Sequence, residues 1–168
     1  MALVNLDKIR SGAVGNLESV IVYTDETFAT LHEDFANGLL VELGGYVDGK
    51  REVRKAYPVK DSAAGKEVLL IATPELDYDE RLNKEQFVNK KGQIARAFYL
   101  AEGDVFQITV APYVTSPVKD ELFIGKNGKY VKADAALAVG QIGFLVAEAP
   151  SKAISAKEDS VALIVQRG

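Results

Sequence analysis

LFIGKNGKYVKADAALAVGQIGFLVAE, residues 122–148, is the stretch that decides the class of fold. It reads as strand, turn, strand, linker, strand. Asn127-Gly128 separates two apolar runs, and this pair is the strongest short-range hairpin signal because both turn residues need φ > 0. A small-residue connector then leads to Ile142–Ala147, a further strand. The turn is expected to project from the body of the domain.

Working outward, the same grammar recurs. Ile94–Leu100 and Val105–Val110 flank Ala101-Glu102-Gly103-Asp104, a second predicted hairpin with Gly in its turn. Lys66–Thr73, KEVLLIAT, is too apolar to face water on either side and reads as a buried strand. Arg51–Val59 alternates weakly and stops near Pro58, after an Asp48-Gly49 turn. The Gly44-Gly45 pair reads as a bulge or turn. Asn37-Gly38 is expected to close a hairpin between Phe28–Phe35 and Leu39–Leu43. Val20–Tyr23 opens the strand series and Val161–Gln166 ends it. Turn signals every ~8–12 residues favour a sandwich or barrel over a parallel sheet. The expected fold is mainly β, a compact β-barrel or β-sandwich.

Two segments break the pattern. Pro74–Lys91 is charged and rich in helix formers after Asp79, so a short helix or ordered loop is expected across 80–89, ending before Gly92. Residues 1–19 read as an extended N-terminal arm before a single β-rich domain over 20–168. Leu3, Leu6, Ile9 and Val14 are its scattered apolar positions, while Gly12 and Gly15 break any helix. The arm is either a frayed terminus or a segment that packs on a partner. In the second case these four residues are the partner contacts.

Composition excludes several functions. The 168 residues fit one domain, and 48% hydrophobic content is ample for a core. With no cysteine there is no disulfide scaffold, thiolate metal site or cysteine nucleophile. Net charge is −4 with acids and bases interleaved, which argues against nucleic acid as a partner. No run approaches the ~20 apolar residues of a membrane span, so no membrane partner is expected. The N-terminus lacks a continuous apolar segment and carries Asp7, unlike a signal peptide.

Chemistry-bearing residues are sparse. The one histidine, His32, has Asp34 nearby, but no G-x-S-x-G elbow accompanies it. It reads as a strand or turn histidine near the surface. Glu75, Asp77, Asp79 and Glu80 form the one acidic cluster. An EF-hand beginning at Asp77 fails, with Arg81 fifth, Leu82 in the place of glycine and Val88 twelfth. A solvated loop paired with Arg81 and Lys84 explains it. Gly125-Lys126-Asn127-Gly128 has the letters of a nucleic-acid-clamping G-x-x-G loop, but that loop joins helices and this one joins strands. Gly12-Ala13-Val14-Gly15 lacks the G-K-[ST] ending of a phosphate loop. No cofactor, metal or enzymatic activity is expected.

Two segments carry a family resemblance. One is ATPELDYDERLNKEQFVNKKGQIARAFYLAEGDVFQIT, residues 72–109; the other is the opening stretch, with G-K-Y-V-K-A and I-G-F-L-V-A-E. The first resembles small proteins encoded among the head genes of tailed bacteriophages and prophages of Gram-positive bacteria. The second resembles the late hairpin of phage head-decoration (capsid cement) proteins. The resemblance covers roughly residues 66–148. It implies a structural virion protein, synthesised in the host cytoplasm, that binds the outer capsid surface and stabilises the shell. Its partners would be the major capsid protein and copies of itself, a trimer favoured, with dimer or monomer as alternatives. Two other readings stay open: a tail-tube or head–tail connector component, and an OB-like ligand-binding module with Phe98, Phe106 and Tyr113 as candidate aromatics.

Overall fold

The computed structural model describes residues 3–8, 16–62, 66–74, 87–148, 150–152, 154 and 157–168. Its strands are β1 (Val4–Lys8), β2 (Leu17–Val22), β3 (Leu40–Val47), β4 (Lys50–Pro58), β5 (Leu69–Ile71) and β6 (Ala95–Tyr99). They continue as β7 (Val105–Thr109), β8 (Leu122–Lys126), β9 (Lys129–Lys132), β10 (Ile142–Val146) and β11 (Ser160–Arg167). The chain is mainly β, as expected. It builds two bodies: a closed barrel in the order β2-β4-β3-β5-β6, and a six-stranded sheet in the order β1-β7-β11-β10-β8-β9.

The barrel closes because β2 pairs in parallel with β4 and antiparallel with β6. Register places Val20 beside Ala95, Val22 beside Ala56, Val41 beside Leu69 and Ile71 beside Ala97. All eight are at most 2% exposed, and they fill the bore. Five strands enclose a narrow bore, and small side chains on two of them, Ala56 on β4 and Ala95 and Ala97 on β6, leave room for the strands to close. The Gly44-Gly45 pair falls at a register shift between Leu43 and Tyr46, a bulge that bends β3.

The sheet has two unlike faces, set by strand alternation. Its inner side carries Phe106 against Leu163, and Val165 against Phe144 against Phe123, all fully buried toward the barrel. Tyr130 stacks edge-on to Phe144, with ring centroids 4.9 Å apart.

The Asn127-Gly128 turn forms as read, with φ of 50° and 73°. It does not project. Gly128 N–H donates to Val59 O at 2.8 Å, Leu40 N–H donates to Gly128 O at 3.1 Å, and Asn127 N–H donates to Lys60 O at 3.1 Å. Ser62 N–H donates to Gly125 O at 2.9 Å. The hairpin tip is therefore bonded to the barrel, because a bare turn backbone left its donors and acceptors unpaired and Leu40 of β3 and the residues after β4 supplied the partners.

Two expected hairpins are corrected. The Ala101–Asp104 turn exists, but β6 belongs to the barrel and β7 to the sheet. Both neighbours of β6 are already taken in a closed ring, so no edge is left for β7. Asn37-Gly38 does not join two strands: over Phe28–Phe35 there are only isolated bridges, Tyr23 to Leu31 and Phe35 to Asn89. Asn37 is 1% exposed, and its amide brackets Thr73 by accepting from Thr73 N–H at 3.0 Å and donating to Thr73 O at 2.8 Å.

The arm also differs from expectation. Val4–Lys8 is a strand of the sheet, paired with β7, and Leu17–Ser19 already belong to β2. Of the helix expected over 80–89, residues 80–86 lie outside the described residues, and 87–89 are not helical.

A prediction isolates the hairpin docking. A Cβ on Gly128 would lie 2.6 Å from Leu39 Cδ1 and 3.0 Å from Pro58 Cβ, whereas one on Gly103, at a similar φ, meets nothing. Gly128→Val is expected to destabilise by about 2–4 kcal/mol, and Gly103→Ala by about 1 kcal/mol from its backbone alone. Urea unfolding of the two variants checks this; equal losses would mean that the docking contributes nothing.

Candidate partner-binding surface

The four residues read as partner contacts separate in the structure. Leu3 is buried at 7% exposure, and Leu6 packs half-buried against the core from strand β1. Both are committed to the chain's own interior. Ile9 and Val14 lie outside the described residues.

A different surface emerges from the sheet's outer side. Val105, Ile164, Leu145 and Leu122 stand directly opposite one another across β7, β11, β10 and β8. Ile124 faces Val131 across the β8–β9 hairpin, and Val131 is 40% exposed. This is a continuous apolar band on the face turned away from the barrel. Leu137 covers only its middle, over Gly143. The Ala-rich connector shapes that cover: Gly140 N–H donates to the C-terminal Gly168 O at 2.7 Å, and Gly168 N–H to Gln141 O at 3.1 Å. Lys126 and Lys129 flank the band, exposed and cross-strand neighbours. Val105, Ile164, Leu145, Leu122 and Ile124 are half-buried and Val131 is exposed, so the row is a partly covered apolar band with charge beside it. A contiguous apolar band of this kind marks a candidate protein-binding surface. Sequence reading missed it because β-strand alternation in Val105–Val110 and Val161–Gln166 shows two faces, not which one stays wet.

The barrel mouth is a polar cleft of about 630 Å³, lined in part by Glu18, Glu67, Tyr99, Glu102 and Arg167. Register puts Glu18 and Tyr99 on the bore face, next to Ala97 and Leu69. Tyr99 OH donates to Glu18 Oε1 at 3.2 Å, and Arg54 pairs with the same oxygen at 3.9 Å while donating to Gly44 O. Burial holds the Tyr99 phenol above its usual range, and the Glu18 charge adds to it. A carboxylate-lined mouth repels phosphate backbones.

Beside it, Glu42 is buried at 5% exposure, with Oε2 accepting from Tyr57 OH at 2.8 Å and from Lys66 Nζ at 3.0 Å. Its Oε1 has no hydrogen-bond partner. Partial burial and then the bond to Glu42 push Tyr57 up to about 12.

The catalytic decoys do not assemble. His32 Nδ1 lies 2.8 Å from Glu33 O, and its ring packs edge-on to Phe35. Asp34 turns to Lys90 Nζ and the Lys91 N–H instead, which hold its carboxyl below the usual range. The acidic cluster at 75–80 lies outside the described residues. Among the described residues no group of three or more His, Asp or Glu is placed to hold a metal ion. Of the candidate aromatics, Phe106 and Tyr113 are buried and Phe98 is half-buried.

No family model, curated protein or solved structure matches this chain. The surface must therefore be interpreted from its own chemistry.

Two predictions follow from the buried polar groups. Tyr113, its hydroxyl donating to Ala36 O at 3.0 Å, is pushed by burial from 10.0 to about 12. A phenol raised in the folded state stabilises fully below pH 10 and loses that contribution as pH climbs toward 12. Folding stability is expected to be flat up to pH 10 and then to fall. Phenolate absorbance of Tyr113 should appear only with unfolding, and reversible ionisation of every tyrosine in the folded protein near pH 10 would contradict this. Separately, Glu42→Leu is expected to be neutral or stabilising by up to a few kcal/mol, since it removes an unpaired buried carboxylate oxygen. Tyr57→Phe, which strips that carboxylate of a donor, should cost about 1–3 kcal/mol by thermal melting.

Proposed function

We propose that this protein is a structural virion component that binds the outer surface of a phage capsid and reinforces the shell, docking through the apolar outer side of its six-stranded sheet. The observation that carries the reading is the Val105–Ile164–Leu145–Leu122 row, a half-buried apolar band in register across four strands of the sheet. Band and resemblance point the same way, toward binding rather than catalysis. A lattice offers the same docking site many times over, so modest contacts per copy accumulate through effective concentration. The major capsid protein is the partner on this reading, together with copies of the chain itself, and no cofactor takes part.

The barrel mouth favours a second reading, a ligand-binding module of OB-like kind, because a closed five-stranded barrel with an open mouth is a common place for a small ligand. The carboxylates there disfavour nucleic acid as that ligand. A tail-tube or connector role is the third, and it predicts rings or tubes from the isolated protein.

Co-sedimentation with undecorated capsids of a tailed phage of Gram-positive bacteria tests the first reading. Fixed stoichiometry is expected at saturation. Leu145→Glu, placed in the middle of the band, should weaken shell binding at least ~30-fold, the loss of a central interface residue worth 2 kcal/mol or more. Glu67→Gln at the barrel mouth should leave it unchanged. Binding that Leu145→Glu spares and Glu67→Gln removes would move the contact to the mouth; no co-sedimentation would reject the shell role.

A further inference from the structure

β1 is the outermost strand of the six-stranded sheet, and among the described residues no strand pairs with its far side. Its hydrogen-bond phase follows from its start. Thr109 N–H donates to Leu3 O at 3.1 Å, and Leu3 N–H donates to Thr109 Oγ1 at 3.0 Å. Antiparallel alternation then turns Asn5 toward Gln107 and points the N–H and C=O of Val4 and Leu6 outward, away from β7. Four backbone groups thus lie along an open edge, an arrangement that templates strand addition.

Among the described residues, a second copy of this chain has one such edge to offer. The barrel is closed and has none. On the other side of the sheet, β9 is covered: Val114 bridges Tyr130, and Tyr130 N–H donates to Tyr113 O at 3.0 Å. Self-pairing through β1 must therefore be β1 on β1, and a two-fold axis makes that pair antiparallel.

We propose that two copies join edge to edge through β1, with the two-fold axis at Asn5. Val4 of each copy then stands opposite Leu6 of the other, and each of these pairs exchanges two backbone bonds. The register uses the outward groups of both residues. It also matches the side chains. Val4 and Leu6 face the inner side, half-buried against the core, so the pairing sets apolar beside apolar where the core would otherwise end. Asn5 faces the outer side and is exposed. The bulge between Leu6 and Lys8 limits the ladder to these residues, which makes the joint short and weak. The product is one continuous twelve-stranded sheet, a two-fold dimer rather than the trimer that the family resemblance implies. The joint does not depend on shell binding: the edge is open whether or not a capsid is present.

Sedimentation velocity of the full chain from about 1 µM to about 1 mM, the range suited to a weak joint, tests it. The mass is expected to move from 18.2 kDa toward twice that value. Val4→Pro removes an outward N–H without touching the β7 ladder and should hold the protein monomeric, with a lowered melting temperature because Val4 also packs on the core. Should that variant fail to fold, amide hydrogen exchange on the unaltered protein decides: Val4 and Leu6 should gain protection as concentration rises. A monomer throughout, an oligomer that leaves both amides unprotected, or one that Val4→Pro preserves would each overturn the joint. Protection that appears only when capsids are added would give the edge to the shell protein and overturn self-pairing as well.

Discussion

The structure depends on a turn that donates and accepts outside its own hairpin. Asn127 and Gly128 close β8 onto β9, but their backbone groups and that of Gly125 are bonded to β3 and to the residues after β4. A two-body protein needs something that fixes one body on the other. Here that joint is made of main chain, which cannot rotate into a different rotamer or be lost to a side-chain substitution. Glycine at 128 is required twice over: for its positive φ, and because the Leu39 side chain occupies the space a Cβ would need.

From that joint the rest follows in order. The hairpin brings the inner face of the sheet onto the outside of β3, where Leu40 would otherwise be wet; Leu40 and Leu70 are fully buried although they point away from the bore. This explains why β5 is apolar on both faces, a pattern usual in parallel sheets covered on two sides. One face of Leu69–Ile71 fills the bore and the other lies under the sheet. The same docking directs the opposite face of the sheet to solvent, and the apolar band there is what the joint leaves over.

Much of this was legible in the sequence where the signal is local. Val68–Ala72 of KEVLLIAT reads as buried because it is an unbroken apolar run, and β5 sits within it, while Lys66 and Glu67 before it are exposed. The Asn-Gly and Asp-Gly turns at 127–128 and 48–49 demand φ values that few other pairs adopt, and both turns formed. What failed was the inference from a turn to a pairing. Ala101–Asp104 is a turn, with Ala101 N–H held by Asp104 Oδ2 at 2.8 Å. Whether the chain returns beside β6 is settled by the closure of the barrel, and no local residue encodes that. Asn37-Gly38 is likewise a turn, with Gly38 at φ 99°, but no strand leads into it and the Asn37 side-chain amide brackets Thr73. Leu3, Leu6, Ile9 and Val14 read as partner contacts because scattered apolar residues between helix-breaking glycines near a terminus carry no strand signal. Leu3 and Leu6 instead complete the edge of the core.

That last reversal bears on how such a protein can bind. A terminal arm binds by ordering, and its affinity is reduced by the entropy lost. A face already held in register across β7, β11, β10 and β8 loses little on docking. The apolar row runs across four paired strands, one residue per strand, so it offers a surface rather than a groove for a threaded peptide. The polar mouth of the barrel has the opposite character, concave and charged, with Arg54 and Tyr99 already engaged by Glu18. Arg167, at the end of β11, also lines that mouth, so the sheet contributes to it, while none of the four residues of the apolar row does.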